Sequence, residues 1–463
     1  MSKSQNLVLK EAADLHRFLQ PLAEMSSVAR TDHPYYRDSS YQLFNHLDSL
    51  IGKTLSYLED LPRHPSKFPV VQRSLRQKLK LLRDSWGLLH RYIKPSLDAD
   101  ALHVPLPLLD ALDDKLKQVP GCGSFDCVVF QLTAVNYAML TYNEVNSVAN
   151  RIARMVKGDD FPKSLSLVGI PYSQSSSFFL NCLIPHEMAH FVYQEVVGSE
   201  IKSKVDDILN AYHPATKGTP EEKLLLSQIR GLLNIWVEEI FCDLFAISLV
   251  GPAFSFAFAE MTSASLITEE SAIGKFFEFG RSHPADVARF YLHLRHLKAL
   301  GWWRTIERWS CSPLQLLKHC GKVFGQTFLS GEINSDARSV FNIQCFWDVC
   351  DWLLEFVKNR VPSSKKDIEC FVDQYPVISS YLARAIVPST IVTDSGMIHP
   401  SPAVLINAAY RFVLEDVQEL LRNIEGRSES SVADRSWCTE RLELWVLKAL
   451  EDCRLLRISR ETR

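Results

Sequence analysis

Near the amino terminus, Leu7 to Ala29, Tyr41 to Leu61 and Val70 to Ile93 repeat apolar residues at steps of three and four. That spacing predicts amphipathic helices. They are separated by Asp32-His33-Pro34 and by Pro62-Arg63-His64-Pro65, where proline cannot continue a helix. Arg73, Arg76, Lys78, Lys80 and Arg83 read as a solvated face of the third helix. A Pro- and Leu-rich connection, Val104 to Leu109, and the turn Pro120-Gly121-Cys122-Gly123 follow. A long amphipathic stretch then runs from Phe125 to about Val156. Ser164 to Ile170 alternates with a period of two, which predicts a strand ending at Pro171. Such a strand can offer an edge to which an extended peptide adds by backbone hydrogen bonds.

From Ser176 or Ser177 through Val197 the pattern is helical again, and Pro185 should kink or restart the helix just before His186. Beyond the loop His213 to Gly218, Thr219-Pro220-Glu221-Glu222 predicts a helix start, with Thr219 as cap and Glu222 placed for a capping box. Leu244 to Ala259 holds no charge but is too short for a membrane span, and Gly251-Pro252 interrupts it. Two buried helix segments are expected there. From about Trp302 helices continue with breaks at Val361-Pro362-Ser363-Ser364 and Asp394-Ser395-Gly396, and the last runs from Trp437 to Leu456. There is no repeat of fixed period and no low-complexity segment. The fold class is therefore predominantly α, of α+β type with a small sheet. Three segments are expected: a helical region over 1–120, a core over 121–300 and a helical region over 301–463.

Composition adds limits. At 463 residues, 46% hydrophobic and 23% charged, the chain can bury a large core. The net charge of −3 and the lack of like-charge blocks give no sign of a nucleic-acid or membrane partner. The amino terminus lacks the apolar run and cleavage site of a secretory signal, and the eleven cysteines are scattered and odd in number. Both point to a reducing cytoplasm, with Cys122 and Cys127 as structural residues.

The chemistry centres on His186-Glu187-Met188-Ala189-His190. A four-residue helical step turns about 400°, so the histidines share a face, with Glu187 about 100° round. This is the HExxH arrangement, in which two histidines hold Zn²⁺ and the glutamate takes a proton from the metal's water. With fourteen histidines present, chance gives one such match with a probability on the order of a few per cent, so the rest of a site must be found. A hydrolase keeps one zinc position open for water and needs a third protein ligand. Glu239 and Asp243, four apart, can supply it, one binding metal while the other accepts a hydrogen bond from a ligand histidine. With Glu239 on zinc, Glu238 reads as an exposed helix residue. Asp243 lies in an apolar helix and needs a partner to offset its burial, and the imidazole of His186 is the one expected. Hydrolysis also needs an oxyanion donor. Of the histidines that precede proline, His283 alone follows the Glu239–Asp243 helix and has an arginine, Arg289, six residues on.

In this order the three pieces resemble the gluzincin superfamily, most closely the group of heat-shock protease X and the CaaX prenyl proteases. Those enzymes carry HExxH, then Glu-x-x-Ala-Asp, then Thr-His-Pro followed by Arg-Ile. Here the counterparts are His186 to His190, Glu239 to Asp243, and Ser282-His283-Pro284 with Arg289-Phe290. The resemblance covers about residues 165 to 295. It implies a zincin-like core, zinc on His186, His190 and Glu239, Glu187 as general base, His283 as transition-state support and Arg289 bracing that segment. Cys242 stands where those enzymes have alanine, and their paired membrane spans have no counterpart. Tyr193 and Val196 exclude the metzincin pattern. The expected activity is peptide-bond hydrolysis on a protein or peptide substrate, with access limited by the flanking helices or opened by a regulatory partner. The alternative is an inactive zincin scaffold serving as an interaction or regulatory protein.

Overall fold

Helix is the dominant state of the described residues. A computed structural model describes residues 3–32, 38–61, 69–97, 105–132, 138–140, 142–160, 165–171, 177–212, 219–269, 283–329, 343–361, 365–394, 396–425 and 431–461. The expected breaks at 33–34, 62–65 and 213–218, together with Ser282 and the side chain of Glu222, lie outside them. In chain order the first elements are α1 (Lys3–Asp32), α2 (Asp38–Asp60), α3 (Pro69–Leu97), α4 (Leu106–Leu116), β1 (Asp126–Leu132), β2 (Ala138–Leu140), α5 (Tyr142–Val156) and β3 (Leu165–Pro171). Then come α6 (Ile184–Val192), α7 (Gly198–Tyr212), α8 (Pro220–Val250), α9 (Pro252–Glu269), α10 (Asp286–Leu300), α11 (Trp303–Ile306) and α12 (Ser312–Leu329). The chain closes with α13 (Ile343–Arg360), α14 (Lys365–Ala383), β4 (Ile391–Thr393), β5 (Gly396–Ile398), α15 (Pro402–Arg411), α16 (Val417–Glu425) and α17 (Val432–Glu461).

Two compact units are formed, one from Met1–Val104 and Ser124–Ser176, the other from Pro105–Gly123 and Ser177–Arg463. They divide the chain differently from the three segments 1–120, 121–300 and 301–463, because each unit is closed by pairings between distant stretches.

In the first unit the three amino-terminal helices and α5 share a core that includes Leu15, Leu19, Leu50, Leu82, Trp86 and Ile152. The buried hydroxyl of Thr54 donates to Leu50 O (2.7 Å) and accepts from Trp86 Nε1 (3.3 Å), so that core polar group is satisfied. The stretch Phe125 to Val156 divides into β1, β2 and α5. Cys127-Val128-Val129-Phe130 is rich in β-branched and aromatic residues, and there strand preference prevails over the longer amphipathic pattern. The strand expected at 164–170 forms as β3, but it is the central strand of a sheet ordered β1-β3-β2. It runs parallel to β1 from Asp126↔Leu165 to Leu132↔Pro171, and antiparallel to β2 over Leu167 to Gly169. Hydrogen-bonded on both sides, that part of β3 offers no free edge to a substrate.

The second unit is built around α8. The described side chains of its first turns are mainly exposed, whereas every residue from Ile240 to Val250 is buried, so the helix passes from the surface into the core. It stops at Gly251, whose φ of +70° only glycine adopts freely and where a Cβ would stand 3.0 Å from the Trp302 ring. Asn407 on α15 bridges the break, accepting from Ala253 N (3.0 Å) and donating to Val250 O (2.8 Å). The interruption expected at Gly251-Pro252 is therefore present. No helix among the described residues is long and apolar enough to cross a membrane.

Candidate metal centre

The helix restart expected at Pro185 sets the register of the site. A 3₁₀ turn, Leu180–Leu183, gives way to α6 at Ile184, with Pro185 in the first turn, where its missing N–H costs nothing. Glu443 on α17 accepts from Phe178 N (3.0 Å) and from the Ser177 hydroxyl (3.3 Å), anchoring the entry to that turn. From this start His186, Glu187 and His190 fall on α6, with His186 and Glu187 each only 8% exposed.

Facing them is α8. Asp243 is an acceptor, so His186 Nδ1–H donates to its Oδ1 at 2.9 Å, as expected from the sequence. Glu238 does not stand free in solvent. It is half-buried and accepts from His190 Nδ1 at 3.0 Å, which corrects its reading as an exposed helix residue. Each imidazole is thus held by a carboxylate through Nδ1, and its Nε2 is turned to Glu239. Glu239 Oε2 lies 3.4 Å from His186 Nε2, and Oε1 lies 3.6 Å from His190 Nε2. His283, 57% exposed, brings its Nε2 to 3.6 Å from the same Oε1.

Asp243 is the most heavily bonded carboxylate in the site. Arg289 on α10 grips it with both Nε and Nη2 at 2.7 Å, and His293 Nε2 lies 3.0 Å from Oδ2 without the alignment of a hydrogen bond. Burial opposes ionisation of Asp243, but Arg289, His293 and His186 hold its carboxyl well below the usual range. Arg289 also lies 4.4 Å over the Phe258 ring. It braces Asp243, and through it α8, in addition to following the His283-Pro284 segment. Burial likewise works against charge on His186, yet Asp243 and Glu239 raise its pKa to about 10. Burial also opposes ionisation of Glu239, which His186, Arg289 and His190 hold down to about 2. Phe254 stacks on His186 at 6.1 Å and closes the site on its apolar side.

The residues gathered here could hold a metal ion. Ligands about 2.0–2.1 Å from a tetrahedral ion stand about 3.3 Å from one another, close to the 3.4 and 3.6 Å between Glu239 and the two Nε2 atoms. Glu239 Oε2 is buried without a well-aligned hydrogen bond, its nearest partner being His186 Nε2 at 3.4 Å. Cys242 is the other candidate, since Sγ and one nitrogen of each histidine all lie within 4.8 Å of one another. Burial, with Glu239, Glu238, Asp243 and Glu187 around it, pushes its thiol well above the ordinary range. A bound metal deprotonates a coordinating thiol, so Glu239 and Cys242 both stand as candidates for the third donor.

No family model, curated protein or solved structure matches this chain. The functional reading therefore stands on the residues themselves. Two of them, Glu238 and His293, lay outside the sequence reading of the site. A signal for each was present: Glu238 interrupts an apolar run, and His293 follows Arg289 by one helical turn.

Proposed function

We propose that this chain is a zinc-dependent peptidase of gluzincin type, acting on a protein or peptide substrate. The supporting observation is the convergence of His186 Nε2, His190 Nε2 and the Glu239 carboxylate at spacings that suit one ion. Zinc, when bound, supplies a Lewis acid that polarises the scissile carbonyl and makes water acidic enough to attack at neutral pH. Asp243 and Glu238 fix the ligand imidazoles through Nδ1 and leave each Nε2 lone pair for the metal. Glu187, beside His186 on the same helix, accepts the proton of the attacking water and returns it to the leaving amine. His283, at the exposed rim, donates to the developing oxyanion. On this reading the region of α6, α8 and α10 is a zincin-like core. A cytoplasmic setting suits the eleven free thiols.

Purified wild type should hold one zinc per chain and His190→Ala none; full zinc content in the variant would refute the ligand assignment. Glu238→Ala should weaken zinc affinity about 10- to 100-fold in a chelator competition, the usual scale for a group that orients a ligand. Unchanged affinity would leave Glu238 a structural partner only. His283→Ala should retain zinc and lower turnover by about 10² to 10³. His399 provides the control, because its Nδ1 is engaged by Ser389 O at 3.0 Å and Thr390 Oγ1 at 3.1 Å. Equal losses from His283→Ala and His399→Ala would remove the case for His283.

A further inference from the structure

The first unit carries a feature that hydrolysis does not use. Helices α1 and α3 border a cleft of about 480 Å³ whose lining includes Glu11, Gln72, Arg73, Arg76, Lys80 and Arg83. The steps of three, four and three residues from Arg73 to Arg83 keep the cations within about 80° of one another, over about 15 Å of helix. Arg76 is bound by Glu11 Oε1, at 2.9 Å from Nη2 and 3.1 Å from Nε. Among the described residues no ion pair engages Arg73, Lys80 or Arg83, and all three are exposed. Lys78, elsewhere on α3, is occupied over the Tyr57 ring at 4.2 Å.

We propose that this cleft binds a small, multiply phosphorylated ligand, with its phosphates laid along Arg73, Arg76, Lys80 and Arg83. Charge and size both favour that chemistry. One carboxylate against four cations leaves a strongly positive lining in a chain whose net charge is −3, so the positive potential is local and suits a compact anion. A volume of about 480 Å³ lies within the range of small-molecule sites. Arginine forks match phosphate oxygens, and at Arg76 Glu11 occupies the fork for which an added phosphate would compete. The same phosphates could be free or belong to a lipid headgroup. Val70, Leu81 and Leu88, exposed on the adjoining flank of α3, are placed to enter a lipid surface in the second case.

The test uses the full chain and two probes. Inositol hexakisphosphate is titrated calorimetrically, and phosphatidylcholine vesicles with and without phosphatidylinositol bisphosphate are used for co-sedimentation. Saturable binding is expected in at least one arm; the soluble probe identifies a free ligand, and vesicle binding alone identifies a headgroup. Each surface cation is worth about fivefold, so combined Arg73→Gln, Lys80→Gln and Arg83→Gln should weaken binding on the order of 100-fold. Lys78→Gln should bind as wild type, and Glu11→Gln should tighten binding about fivefold, because it removes the one opposing charge. Circular dichroism checks the fold, and the three single variants are read instead if the triple one is unfolded. No saturable binding in either arm, wild-type binding by the folded triple variant, or an equal loss in Lys78→Gln would overturn the proposal. None of these outcomes bears on the metal centre, whose residues lie in the other unit.

Discussion

Glu187→Gln is expected to keep its zinc and its thermal midpoint while losing about 10² to 10⁴ in peptide-bond hydrolysis, the range for deleting a general base. The amide is nearly isosteric with the carboxylate at this buried position and cannot accept the water's proton. The imidazoles of His186 and His190 are held through Nδ1 by Asp243 and Glu238, contacts that the substitution leaves in place. Zinc content, a melting curve and turnover of a peptide substrate, measured on one preparation, separate three cases. Loss of turnover with zinc retained supports the enzyme. Wild-type behaviour in Glu187→Gln but not in His186→Ala makes the metal structural, and the interaction-protein reading then holds. Wild-type behaviour in both makes the HExxH spacing a coincidence.

Local periodicity made the helical skeleton of this site legible. A four-residue step is enough to place His186 beside His190, and a proline and a glycine-proline pair are enough to mark where α6 begins and α8 ends. Asp243 was legible for a thermodynamic reason: a carboxylate inside an apolar helix must have a partner, and His186 lies 2.9 Å away. Glu238 was not legible in the same way, because Glu239 beside it already makes that turn of the helix polar. The partner of Glu238, His190, lies 48 residues earlier and is brought to it by packing between the two helices.

What the sequence left open depends on contacts between distant stretches. Whether β3 is an edge or a centre is decided by β1 and β2, some 30 to 40 residues earlier, and nothing in the alternation of 164–170 records them. The same holds for the units: 105–123 belongs with residues beyond 177, tied in part by Lys115 donating to Leu249 O at 2.8 Å and to Asp367 at 3.0 Å. Four-residue spacing put Arg289 and His293 on one face of a helix, but not against Asp243, 46 residues away from Arg289. Spacing along one helix fixes which side chains share a face, whereas the opposing face is chosen by packing.

Arg289→Met is expected to cost about 3–5 kcal/mol in denaturant unfolding of the metal-free chain, the scale for leaving one partner of a buried ion pair alone. The pair is tight and dry: two bonds at 2.7 Å, with Arg289 at 6% and Asp243 at 1% exposure. Methionine fills much of the volume beside Phe258 but offers no charge, so Asp243 is left with two histidines, one of them unaligned. The loss should depend on pH with a definite sign. In wild type the Asp243 pKa is depressed, so the pair stabilises the fold above the ordinary carboxylate pKa and that contribution is lost only at lower pH. In the variant Asp243 and Glu239 are left to share one charged imidazole, so the Asp243 pKa rises, and acidification protonates it and removes the excess negative charge. The deficit relative to wild type should therefore be largest near neutrality and shrink as the pH falls towards 4. Adding Asp243→Asn to Arg289→Met should recover part of the stability at neutral pH without restoring zinc affinity, because the charge is gone while the partner of His186 is weakened. A cost below about 1 kcal/mol, or one that does not vary with pH, would mean that Arg289 does not compensate a buried charge, and its bracing role would fall with it.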